Sequence, residues 1–277
     1  MAVVPTGAVR RWVGADAFRV ALAEVGAEPD DTVFLHSDVR RCGRVEGRLP
    51  EQKLDTVLRG LVDAIPAGVM ILPTFTYSFC RSEPFDVAES PSTVGGLTDR
   101  FRVWPGVRRT PEPIFSTAIR GSLPEAWEQR LMRIGDKDCF GPDSVFAYLH
   151  ERDALLVFLD ASFQACTFVH HIEQRLEVPY RYPKLFEGEV RAGPEHRQVR
   201  VSYLVRRLEQ DVVTDALPLW EALVQGGHTR SAAIDRGPML HGVRARVVSE
   251  TAARQIAENP DFLLERGHLP DVQQRVG

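Results

Sequence analysis

DALLVFLDA (153–161) is an apolar run closed by aspartates, and CTFVHHIEQRL (166–176) follows it after a four-residue gap. The first reads as a buried strand and the second as the helix that it feeds, which is the repeating step of an α/β sheet. If Thr167 opens that helix, Val169, Ile172 and Leu176 make its apolar stripe and His170 and Glu173 share one face, three residues apart. A base and an acid then stand on one rigid platform. A helical His–Glu pair is, on spacing alone, more often an ordinary surface or half-buried pair than a catalytic one.

Upstream, Phe18, Leu22 and Val25 recur at helical spacing over 15–25, and Gly26 follows where a left-handed C-terminal residue is wanted. TVFLH then reads as a strand that ends in His36-Ser37-Asp38. Between Pro50 and Pro66 the positions Leu54, Val57, Leu58, Leu61, Val62 and Ile65 predict a helix with proline in its first turn. VMIL (69–72) is a buried strand stopped by Pro73, after which Thr74, Thr76 and Ser78 alternate with aromatics. Polar groups at the C-terminal ends of strands commonly line sites in such sheets. Residues 81–110 carry little regular pattern beyond a helix over 97–103, as in loops that shape a site. PIFSTAI (113–119) predicts a strand and Ser144 the start of a helix.

Downstream, EGEVRAGPEHRQVRVSYL predicts a hairpin turning at 192–195, then a short helix over 217–224, a β-rich stretch over 239–248, and a last helix over 249–259 halted by Pro260. Together these segments imply a layered α/β/α fold with a central mixed sheet and an added β-rich C-terminal portion. With 277 residues and 44% hydrophobic content, one domain spanning 1–277 is expected.

No apolar run approaches 18 residues and MAVVPTGAVRRWVG lacks the order of a secretory signal, so a soluble cytoplasmic protein without membrane partners is expected. A net charge of -4 argues against a nucleic-acid partner. Cys42, Cys80, Cys139 and Cys166 are scattered, which predicts reduced thiols and no structural metal. His170, His171 and Glu173 with His36 are a poor metal set, since adjacent helical histidines diverge by about 100°. No G-x-G-x-x-G follows a strand, and neither G-x-x-x-x-G-K-[ST] nor G-x-S-x-G occurs, so nucleotide hydrolysis, hydride transfer and a serine-hydrolase elbow lose support. Cys166 with His170 could imitate a thiol nucleophile pair, but a buried cysteine before a helix is the commoner reading. Tyr180, Arg181 and Tyr182 could stack on a ligand ring or cover the core edge.

Several blocks taken in order carry more than any one of them. HSD (36–38) with Gly43, ILPTFTYSF (71–79), FD (85–86) before SPS (90–92), PGVRRTPEPIFS (105–116) and TFVHHIE (167–173) resemble the aminoglycoside 3-N-acetyltransferase family over nearly the whole chain. The resemblance implies acetyl transfer from acetyl-CoA to an amine of an aminocyclitol or sugar, with small-molecule amine and coenzyme A as partners and a homodimer left open. By position His170 matches the family's catalytic histidine, and Thr167 and Glu173 the residues that frame it. A later acidic residue, Glu209 or Asp211, is expected to orient the imidazole. His36, Ser37, Asp38, Thr74, Thr76, Arg109 and Ser116 are the expected coenzyme-site residues, with Arg40 a further phosphate partner, and Tyr77, Ser78 and Glu112 the expected acceptor contacts.

Where drug-modifying members carry His before the proline of R-S-x-H-P-x-x-S, this chain has Glu112. With SFC, DCFG and VPYRYPK, this resembles relatives tied to polysaccharide or natural-product amino sugars, and acetylation of such an amine is the expected function. Aminoglycoside resistance, a non-catalytic relative that binds coenzyme A or sugar, and a thiol-dependent enzyme are the alternatives. A base near neutrality is needed because a sugar ammonium is protonated at pH 7, and imidazole suits that role.

Overall fold

The structure is a computed structural model that describes residues 12–42, 44–207, 213–235 and 237–265. In chain order the elements are α1 (Ala15–Glu24), β1 (Thr32–Ser37), α2 (Pro50–Asp63), β2 (Val69–Pro73), β3 (Phe85–Asp86), α3 (Gly96–Arg102), β4 (Arg108–Arg109) and β5 (Thr117–Arg120). The second half gives α4 (Glu125–Met132), β6 (Lys137–Asp138), α5 (Val145–Glu151), β7 (Leu155–Leu159), α6 (Phe168–Arg175), β8 (Arg181–Ala192), β9 (Glu195–Arg206), α7 (Leu217–Gln225), β10 (Thr229–Ala233), β11 (Met239–Arg244) and α8 (Ala245–Glu258).

The central sheet has the order β10-β11-β7-β1-β2-β5-β4. β1 pairs in parallel with both β2 and β7, in register Phe34↔Ile71 and Phe34↔Leu156, while β5 and β11 flank this trio antiparallel. The mixed sheet separates two cores by the alternation of each strand. Phe34, Ile71, Ile119, Leu156 and Phe158 face a core built with α4, α5, α6 and α8. Val33, Leu35, Met70, Leu72 and Val157 face a core built with α1, α2 and α3. Both faces are covered, which is why these strands read as unbroken apolar runs. The same alternation puts His36 on the side of α6.

β8 and β9 form a long hairpin through Gly193-Pro194, where Gly193 has φ 57°, a left-handed value that suits glycine. With β3 and β6 the hairpin makes a second, four-stranded sheet. The β-rich addition is therefore divided, since β10 and β11 extend the central sheet and only the hairpin stands apart.

Three expectations shift. The strand over 113–119 begins only at Thr117, because the amides of Ile114 and Phe115 donate to the Glu112 carboxylate and not to a neighbouring strand. The stretch over 239–248 is strand only to Arg244, and the last helix starts at Ala245. Ala245, Val248 and Ala252 are fully buried at helical spacing, so packing overrides the strand preference of Val247-Val248. α4 and β10 were missed, having too few apolar residues to show a period. No helix of the described residues is long and apolar enough to cross a membrane.

The irregular 81–110 segment is held by Arg109. This side chain is buried, and its guanidinium donates to the carbonyls of Thr74, Val87 and Ser90 and to the hydroxyls of Thr74 and Ser116. Burial pushes it down to about 10, still cationic at neutral pH. Arg109→Ala strands several buried carbonyls and should destabilise the fold by about 3 kcal/mol in urea unfolding. Arg109→Lys should recover only part of this, because ammonium lacks the fork.

Candidate active site

β7 ends at Leu159, Asp160 turns the chain with φ 50°, and the Ser162 hydroxyl accepts the Gln164 amide to start a short turn before α6. Phe168, Val169 and Ile172 are buried and anchor α6, which fixes the direction of its remaining face. Thr167 stands at the N-cap position, but its backbone is helical and its hydroxyl donates to the Ala165 carbonyl at 3.4 Å, so it does not cap the helix.

On that face His170 Nδ1 lies 2.6 Å from Glu173 Oε2. Glu173 is completely buried, whereas the His170 side chain is 24% exposed. The same Oε2 is 2.7 Å from Arg181 Nε, at the start of β8, and Arg181 donates from its NH2 group to Thr214 Oγ1 at 2.6 Å. Burial alone pushes the Glu173 carboxyl up. Its two partners, His170 first and then Arg181, outweigh this and hold it below the usual carboxylate range. With Nδ1 engaged, imidazole Nε2 is the nitrogen left to accept a proton.

His170 borders a cavity of about 500 Å3, lined also by Cys166, Thr167, Arg181, Lys184 and Tyr203, with Glu173 sealed behind it. The structure thus brings Thr167, His170 and Glu173 together. Among the described residues the carboxylate on the imidazole is that of Glu173, one helical turn away on α6. Glu209 and Asp211 lie outside the described residues.

The other expected site residues do not line this cavity. His36 is buried, edge-on to Phe34 and stacked on Phe158, and burial pushes it down to about 3. Ser37 is half-buried, and Asp38 accepts from the Arg40 amide and pairs with its guanidinium at 2.6 Å. Thr74 and Ser116 are sealed and bond each other's carbonyls. Thr76 bonds Ser78, and Tyr77, with φ 55°, packs edge-on against Phe115. Arg109 has its donors engaged within the fold, as described above, and does not reach the cavity. Phe115 also meets Tyr203 at 5.0 Å, so a ring ladder links the loop after β2 to the cavity wall.

Tyr203, Lys184 and the role of Arg181 escaped the sequence reading, because they come from the hairpin and meet α6 only in the folded chain. The one signal was Arg181 beside two tyrosines. His171 turns away from His170, its Nδ1 lying 2.7 Å from the Phe140 carbonyl. Among the described residues no group of three His, Cys, Asp or Glu is placed to hold a metal. Cys166 is buried, which pushes its thiol up to about 12 and leaves no thiolate for nucleophilic attack at neutral pH.

A layered α/β enzyme with a histidine–carboxylate pair on a ligand-sized cavity fits an acid–base transferase. The chain belongs to the aminoglycoside 3-N-acetyltransferase family, whose model matches residues 34–253. It is therefore an N-acetyltransferase. It is 28% identical over 269 residues to aminoglycoside N(3)-acetyltransferase IV of Salmonella sp, covering 92% of this chain and 90% of that one. The fold resembles the apoenzyme of aminoglycoside acetyltransferase AAC(3)-IVa, with TM-score 0.72, 25% identity and 95% of each chain covered. It also resembles AAC-IIIb, solved as a binary complex with CoASH, with TM-score 0.73, 20% identity, and 90% of this chain and 97% of that one covered.

Glu112 is half-buried, and that burial pushes it up to about 7 against the opposing amides of Ile114 and Phe115. A carboxyl raised in the folded state is protonated there while the unfolded chain, titrating near 4.3, is already ionised. Its contribution to stability is full below that lower value and is lost as pH rises to about 7. Glu112→Gln should therefore gain on the parent by up to about 3 kcal/mol at pH 8, and the gap should shrink toward pH 4, in urea melts at the two pH values.

Proposed function

We propose that this protein acetylates an amine of an aminoglycoside, with acetyl-CoA as the donor and His170 as the general base. The observation that carries the mechanism is that His170, on the wall of the cavity, is paired at 2.6 Å with the buried Glu173. Membership of the family and the Salmonella relative support an aminoglycoside as the acceptor over the biosynthetic amino sugar expected from Glu112. That departure weighs less because the half-buried side chain accepts the amides of Ile114 and Phe115 on its own loop.

The donor supplies a thioester, and the cavity suits it, since Lys184 and Arg206 on its wall match the phosphates of coenzyme A. His170 Nε2 takes the proton from the acceptor amine as its nitrogen attacks the thioester carbonyl. Glu173 holds Nδ1 and thereby fixes the tautomer, as in triad logic. The Thr167 hydroxyl, on the same wall, becomes a donor for the oxygen on which charge develops once it rotates off its 3.4 Å contact with the Ala165 carbonyl. Collapse of the tetrahedral species expels the thiolate, which takes the proton back from the imidazolium. No covalent acyl-enzyme is required.

A second reading rests on charge. The described cavity wall carries Arg181, Lys184 and Arg206 and no carboxylate, which suits an amino sugar bearing an anionic group such as a nucleotide diphosphate. Free-thiol release from acetyl-CoA, measured with an aminoglycoside panel and with nucleotide-linked amino sugars, separates the two. Release with the drugs alone sustains the proposal, and release with nucleotide-linked sugars alone overturns the choice of acceptor. His170→Ala should lower turnover by about 10² to 10⁴ with coenzyme binding by calorimetry nearly unchanged. Undiminished turnover would remove His170 as the base.

A further inference from the structure

The Glu173 carboxylate has two cationic candidates on a single oxygen, His170 Nδ1 at 2.6 Å and Arg181 Nε at 2.7 Å. A side chain with no solvent exposure does not stay ionised without a counter-charge. If imidazolium were that counter-charge, the base would hold its proton before the acceptor arrived. Arg181 offers the alternative. It is almost as buried as Glu173, it is anchored from behind by Thr214, and it borders the cavity.

We propose that Arg181 is a positioning residue for acetyl transfer, the permanent counter-ion of Glu173 that leaves the His170 imidazole unprotonated at rest with Nε2 open to the cavity. The inference rests on His170 being the base. At rest the carboxylate and guanidinium sum to zero. The proton arriving from the acceptor then places one positive charge on the partly exposed imidazole, and the departing thiolate removes it.

The other titratable or charged groups near the pair do not replace Arg181. Tyr180 lies beside Glu173 and its phenol is pushed up by burial and by that carboxylate, with Asp261 acting in the same direction. Tyr203 faces Arg181 and Glu173 from β9. Lys184 and Arg206 border the cavity, and His171 is turned to the Phe140 carbonyl.

The test compares Arg181→Gln, Arg181→Lys and the double variant Arg181→Gln/Glu173→Gln. The readouts are the pH profile of kcat/KM and the imidazole NMR titration of the ligand-free enzyme, with the His170 signal assigned by its loss in His170→Ala. For Arg181→Gln the acid limb and the His170 titration should both move up by about one pH unit, a loss of at most about fivefold at pH 7 that is regained at alkaline pH. Arg181→Lys should keep both near the parent. The double variant, with no unbalanced carboxylate, should return the midpoint toward the parent even at a reduced rate.

A raised KM with unmoved titration would make Arg181 a ligand contact only, and a lower kcat at every pH without a shift would make it structural only. Either overturns the proposal. If Arg181→Gln does not fold, Thr214→Val must move the NMR titration in the same direction by a smaller amount, and no movement overturns it as well. Because that titration needs no substrate, it decides the role of Arg181 even if His170→Ala turns over normally and the base assignment fails.

Discussion

A carboxylate without solvent contact, held between an imidazole and a guanidinium, is the constraint on which the rest of the site depends. Glu173 sits under α6 in the larger of the two cores, where an unpaired charge would cost several kcal/mol. Its partners must therefore arrive together, one from its own helix and one from the hairpin. That requirement ties the central sheet, which aims α6, to the second sheet, which brings Arg181. The cavity lies along this seam, bordered by residues of α6, β8 and β9.

A second buried cation performs a different task. Arg109 joins the end of β2 to the loop over 87–90 and to Ser116, converting a long irregular segment into a fixed wall. Its chemistry matches that expected of a phosphate-binding arginine, but its donors are turned inward. Glu112 follows the same logic with opposite charge, since its carboxylate takes amides that would otherwise continue β5. A charged residue in a family motif can thus serve the backbone of the motif and not the ligand.

The two sheets also explain how aromatic side chains reach the site. Phe115 touches Tyr77, Phe140 and Tyr203, and Phe140 lies edge-on to His170 at 5.6 Å. The ladder thus reaches the imidazole through close packing.

Local pattern alone determined α1, α2, α5, α6 and the three parallel strands, because each has an apolar period that no distant residue needs to support. It also placed His170 and Glu173 on one face, since a spacing of three is a property of the helix itself. The boundary between β11 and α8, the late start of β5 and the inward use of Arg109 were not legible, because each is decided by burial against residues far along the chain. The same holds for the site. The sequence offered an acid and a base but left Arg181 among stacking residues, while the expected Glu209 and Asp211 lie outside the described residues. Only the tertiary structure shows Glu173 sealed and doubly paired, since an ion pair between a helix and a hairpin has no period in sequence and exists only when folding removes both partners from water.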